Sequence, residues 1–198
     1  MGILMRLAAL IDVLNERVGK AVYWLVLVAV LVSAGNAIIR KVFNVSSNAW
    51  LELQWYLFSA IFLLCAGYTL LHNGHVRIDV IAGKVSPKAQ AWIDILGTLF
   101  FLLPMTLMLT WMSWPYFVHS FQNMEISGSA GGLIFWPARL LLPAGFGLLA
   151  LQGFSEMVKR IAFVTGKGPD PIPRHDHNAE AELVEEIRKM AQSKEARP

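Results

Sequence analysis

Apolar residues in this chain fall into four long continuous runs separated by short polar stretches, with no alternation of period two. The runs are Ala21 to Ile39, Trp50 to Leu71, Ala91 to Met112 and Leu133 to Phe154. A helix rises about 1.5 Å per residue, so each run is close to the roughly 20 residues that cross a hydrocarbon core about 30 Å thick. Continuous runs predict spanning helices, because a barrel strand would be shorter and would alternate. The fold class read from this pattern is an all-α integral membrane protein with four transmembrane helices.

The residues before the first run carry a different pattern. Ile3, Leu4, Leu7, Leu10, Ile11, Leu14 and Val18 follow a helical stripe, with Arg6, Asn15, Glu16 and Arg17 elsewhere on the circumference. This predicts an N-terminal amphipathic helix over residues 1–20 that lies in the membrane interface or docks on a partner, in preference to a simple extension of the first span. The first run also exceeds the apolar core of a cleaved signal, about 7 to 15 residues. The expected organisation is therefore the leader, a four-helix domain over 21–160, and a charged tail over 161–198. That tail begins GKGPDPIPRHDH and continues AEAELVEEIRKMAQ; it is expected to be flexible, and largely disordered unless Leu183, Ile187 and Met190 face a partner as a short amphipathic helix.

Composition supports this class. Hydrophobic residues make up 56% of the chain and charged residues 16%, against about 25% charged in a soluble domain, and the mean hydropathy is +0.51. Basic residues set orientation. Arg6, Arg17 and Lys20 precede the first span, Arg77, Lys84 and Lys88 follow the second, and Lys159, Arg160 and Lys167 follow the fourth. The other two connections hold only Arg40 and Lys41 in one and no basic residue from Trp114 to Trp136 in the other. Both termini are expected on the cytoplasmic side. Tyr23, Trp24, Tyr68 and Trp92 then mark the inner interface, and Trp50, Trp55, Trp111, Trp114 and Trp136 the outer one. The net charge of +3 reads as topology and attraction to anionic membrane lipid, with no nucleic-acid partner.

Local signals fill in the helices. Ser86 and Pro87 form a cap and first-turn pair opening the third, and Ser46, Ser47 and Asn48 offer cap oxygens for the second. Pro104 predicts a kink midway along the third span. Gly145, Gly147 and Gly153, with Ala144 and Ala150, give the fourth a surface for close helix approach.

The ionisable residues read as structural. Glu52 falls in the first turn of the second span, where the helix N-terminus favours a carboxylate and Arg40 or Lys41 could pair with it. Asp94, Asp79, Arg77, His72, His75 and Lys88 could form a polar network at the cytoplasmic side. Arg139 either pairs with Glu125 or faces lipid phosphate, and the second is favoured. His72 and His75 have the spacing of two metal ligands, but Gly74 interrupts the helix and only Asp79 is near, so no metal site is expected. No cofactor is expected either. The single cysteine, Cys65, excludes an internal disulfide and reads as a packing residue. Within the spans no charge is found between first and last turns, which is where an ion-coupled transporter acting alone usually places one.

The blocks WLELQWYLFSAIFLLCAGYTLLHNGHVRIDV, SPKAQAWIDILGTLFFLLP and FWPARLLLPAGFGLLALQGFSEMVKR resemble, in this order, the small integral-membrane subunit of tripartite ATP-independent periplasmic (TRAP) transporters, the DctQ-like group. The resemblance covers about Met5 to Ile161. It implies a non-enzymatic scaffold subunit in a bacterial inner membrane, paired with a large membrane subunit that carries the substrate and sodium sites. A periplasmic binding protein would deliver an organic acid. Carried over by position, Arg40, Trp50, Glu52, Tyr56 and Tyr68 match the family's pattern in the first two spans, and Gly74, His75, Arg77 and Asp79 match it in the loop. With Asp94 and Arg139 these are the candidates for assembly and stability. Two other classes compete: an autonomous four-span exporter, which needs a carboxylate inside the first span, and a haem or quinone anchor, which needs histidines within the bundle, whereas His72, His75 and His119 are read as loop residues.

Overall fold

A computed structural model describes residues 2–44, 47–72 and 86–169. The described residues form four helices: α1 (Gly2–Phe43), α2 (Asn48–Leu71), α3 (Pro87–Gln122) and α4 (Trp136–Val164), each long and apolar enough to cross a membrane. No strand forms among them; the connection between α3 and α4 contains a single antiparallel bridge, Ile126 to Ile134.

The helices run further than the hydropathy pattern predicted. At 42 residues α1 is about 63 Å long, roughly twice the hydrocarbon thickness. The leader and the first span are one uninterrupted helix, so the leader is an extension of the span rather than a separate element. α3 continues past Met112, through Pro115, to Gln122, and α4 continues ten residues past Phe154 to Val164. Gly166, at φ +70°, adopts the left-handed conformation that stops α4, and the Lys167 N–H bonds back to the Ala162 carbonyl at 2.9 Å.

Pro104 does shape α3. One π turn, Thr98–Leu102, lies just before it, and the Leu103 N–H reaches back five residues to the Thr98 carbonyl. The wider turn accommodates the proline ring, which cannot donate the usual bond. Ser86 caps this helix by accepting from the Ala89 N–H, with Pro87 in the first turn. At α2, Ser47 occupies the cap position without a side-chain bond, and Asn48 instead donates to the Ala130 carbonyl at 3.1 Å; Ser46 lies outside the described residues.

α4 is the central helix. It packs against α1, α2 and α3, whereas α1 and α3 make no substantial contact with each other. Ten residues of α4 are buried, against five of the 42 in α1, so α4 supplies the largest share of the interior. Gly145 lies so close to α2 that a Cβ there would sit 2.7 Å from Leu63 Cβ, and one on Gly153 would sit 2.4 Å from Leu102 Cδ2 of α3. Gly147 faces open space. The outward surfaces of α1 and α3 remain apolar and exposed, including Tyr23, Trp24, Leu31, Phe100, Phe101 and Trp111. Side chains of this kind are stable facing lipid.

Candidate functional site

Polar and charged side chains gather at two places, one at each end of the bundle. The leader end comprises the first half of α1, the start of α3 and the last turns of α4. The loop end comprises the start of α2 and the connection between α3 and α4. In the middle, residues 21–39, 53–71, 95–112 and 140–155 contain no Asp, Glu, Lys, Arg or His.

At the leader end the interior is polar. Asn15, Gln152 and Ser155 are fully buried, and Glu156 and Arg160 are nearly so. Asn15 Nδ2 donates to Gln152 Oε1 at 2.9 Å, and Gln152 Nε2 donates to Asp12 Oδ1 at 2.9 Å. Ser155 Oγ lies 2.7 Å from the same Asp12 oxygen and 3.2 Å from the Ala8 carbonyl. Lys159 bridges Asp12, at 3.1 Å, and Glu156. Arg160 binds Glu156 through Nη1 at 2.8 Å and Asp94 through Nε at 3.0 Å. One network therefore joins α1, α4 and α3. An isolated buried charge is costly, but here each of the four ionic groups on α1 and α4 has an opposite partner.

Close packing accompanies the network. A Cβ on Gly67 would fall 2.1 Å from Asn15 Oδ1, and one on Gly19 would fall 2.3 Å from the Tyr68 ring. The Tyr68 ring also lies 4.4 Å from that of His72, whose Nε2 is 2.7 Å from Glu16. Glu16 is held below the ordinary carboxylate range, first by a hydrogen bond from Lys20 and then by one from His72.

At the loop end, Glu52 is buried and accepts hydrogen bonds from Ser127 Oγ and, at 2.7 Å, from the Leu133 N–H. Tyr56 donates its hydroxyl to the Ile134 carbonyl at 3.2 Å. Arg139 makes a two-pronged pair with Glu125 at 2.6 and 2.7 Å and stacks over Phe135. These contacts fix the connection against the start of α2 and α4. Of the two options for Arg139, the structure shows the pairing with Glu125.

Other expectations also change. Glu52 lies in the second turn of α2, and among the described residues it makes no ion pair with Arg40 or Lys41. Asp94, in the second turn of α3, turns toward Arg160. Lys159 and Arg160 read in sequence as orientation signals, yet both belong to the leader-end network. His119 is on α3 near its end rather than in a loop, 71% exposed and 3.9 Å from Glu125. Arg40 and Trp50 line two adjacent recesses between α1 and α2. Gly74, His75, Arg77 and Asp79 lie outside the described residues. No group of three or more potential metal ligands occurs among the described residues.

Sequence reasoning missed Asp12, Asn15, Gln152, Ser155 and Glu156. Their signal was present: Gln152, Ser155, Glu156, Lys159 and Arg160 recur at helical spacing along one face of α4.

The profile of the family described as Tripartite ATP-independent periplasmic transporters, DctQ component, matches residues 29–163. The chain belongs to the DctQ family. It is a small, multi-pass membrane subunit of a TRAP transporter. Among curated proteins no match is found, and none among solved structures. The matched segment of this DctQ chain includes α2, α3 and nearly all of α4, but begins after the leader half of α1.

Proposed function

We propose that this DctQ chain braces a large membrane subunit that carries the substrate and sodium sites, during uptake of an organic acid delivered by a periplasmic binding protein. The observation that carries this reading is the charge-free middle of the four helices. Coupling a solute to an ion gradient needs groups at membrane depth that bind the ion or exchange protons. With every described charge at the two ends, the chain's own chemistry is suited to holding helices together. The wide apolar surfaces of α1 and α3 supply room for a membrane partner as well as lipid.

In this reading the leader end is cytoplasmic, in a bacterial inner membrane, because the connections there are the richer in lysine and arginine. Tyr68 and Asp94 serve assembly at that end, and Glu52, Tyr56 and Arg139 at the other. Gly74, His75, Arg77 and Asp79 would serve the connection between α2 and α3. The exporter and redox-anchor alternatives lack comparable support. The spanning part of α1 has no carboxylate, and His72 and His119 are both partly exposed at helix ends.

Affinity purification of the full chain from its native membrane tests the reading. A much larger polytopic membrane protein is expected in fixed ratio with it. Recovery of the chain as a well-behaved monomer or homodimer, with no such protein, would contradict it.

A further inference from the structure

Glu52 is the carboxylate closest in sequence to Arg40 and Lys41, and it is committed to Ser127 and Leu133. Arg40 and Lys41 therefore close α1 with two cations that have no ion-pair partner among the described residues. They line an open cleft of about 770 Å³ between α1 and α2, together with Ser33, Asn36, Asn44 and Gln54. Asn36 also lines a second, largely apolar groove of about 240 Å³, formed with Leu31, Val32, Gly35, Ile39 and Trp50. The two recesses thus adjoin at one residue.

Their order along α1 is informative. Cations come first, at the helix end. The Asn36 amide follows about 6 Å deeper, and the apolar groove runs beside the cleft from Ile39 and continues to Leu31, about 7.5 Å beyond Asn36, at 1.5 Å per residue. A phospholipid presents the same sequence of chemistry on the same axis: phosphate, then ester carbonyls, then acyl chain. Asn36 can donate to an ester carbonyl, and Gly35 leaves the groove wall open, since no atom lies within 4 Å of where its Cβ would be. Cations in the last turn also complement the helix dipole. That effect is confined to the helix end and gives no reason for Asn36 and Ser33 to continue the polar surface inward.

We propose that the α1/α2 recess at the loop end is a binding site for one anionic phospholipid, with Arg40 and Lys41 on the phosphate and Leu31, Val32, Gly35, Ile39 and Trp50 along an acyl chain. Two cations against one phosphate favour a headgroup with net negative charge over a zwitterionic one. The site is independent of the scaffold role, and either can stand without the other.

Native mass spectrometry of the full chain, purified with any membrane partner and stripped of loose lipid, tests this with dioleoyl phosphatidylglycerol and dioleoyl phosphatidylcholine as probes. One phosphatidylglycerol is expected to stay bound in preference to phosphatidylcholine. Arg40→Gln with Lys41→Gln should weaken its retention about thirtyfold, at roughly the strength of two surface cations acting on an anionic headgroup. Gly35→Leu, which fills the groove and leaves both charges, should weaken it as well, and keeps the test open if the double variant fails to fold. Equal retention of both lipids, or unchanged retention in the folded variants, overturns the proposal. Displacement of the lipid by excess inorganic phosphate reduces the site to a simple anion site and overturns it too. So does carbodiimide coupling of Lys41 to a carboxylate of a co-purified membrane protein with no lipid retained.

Discussion

At the loop end, the buried carboxylate Glu52 is satisfied by a serine hydroxyl and a backbone N–H from one short connection. At the leader end, Glu156 lies between Lys159 and Arg160, and the network continues to Asp12 on α1 and Asp94 on α3. The first arrangement uses neutral donors and fixes a loop; the second uses full charges and fixes three helices to one another. Removing a group should therefore have local consequences at the loop end and global ones at the leader end.

The largest effect is expected from Arg160→Ala. It leaves Glu156 buried beside one cation instead of two and removes the Arg160 contact of Asp94, and breaking such a pair costs about 3–5 kcal/mol. Thermal unfolding in detergent should show the loss. Replacing Glu156 and Arg160 together by Met and Leu should recover most of it, since neither charge is then stranded. A second effect, about 1–3 kcal/mol, is expected from Glu52→Ala, which strands the Leu133 N–H. Hydrogen exchange should rise across residues 123–135 while the leader stays protected; an equal rise at both ends would erase the distinction drawn between them. Arg139→Lys should cost less, about 1 kcal/mol, because an ammonium cannot make the two-pronged pair with Glu125.

The smallest effect concerns pH. Glu16 has its folded pKa lowered from the ordinary 4.5, so its contact with Lys20 and His72 contributes fully above that value and is lost as pH falls through the lower folded one. The difference in unfolding midpoint between the wild-type chain and Glu16→Gln should accordingly shrink below pH 4.5. A difference that grows on acidification would show that Glu16 is not held as a carboxylate.

The contrast also explains what could be read from sequence. The four spans follow from hydropathy and length alone, and the DctQ assignment agrees with the family match over residues 29–163. The apolar stripe of the leader predicts a separate helix lying in the membrane interface or docked on a partner, whereas it is continuous with the first span. In the structure Leu7, Leu10 and Leu14 are exposed, and Ala8, Asn15 and Gly19 face inward. Beside a membrane, apolar side chains need no protein cover, so small and polar residues can take the helix contacts. The same inversion hid Gln152 and Ser155, whose partners on α1 lie about 140 residues away, and with them Glu156, which bonds to Gln152. Arg139 and Glu125, only 14 residues apart, were visible as a candidate pair. What local pattern could not supply was which of two opposite faces each helix would turn to its neighbour.

Sodium-driven uptake into proteoliposomes tests the bracing role most directly. The full chain reconstituted by itself should accumulate no organic anion, and uptake should arise only when the large membrane subunit and the binding protein are added. Accumulation by this chain alone, under a sodium gradient, would contradict a role built on helices whose middle carries no charge.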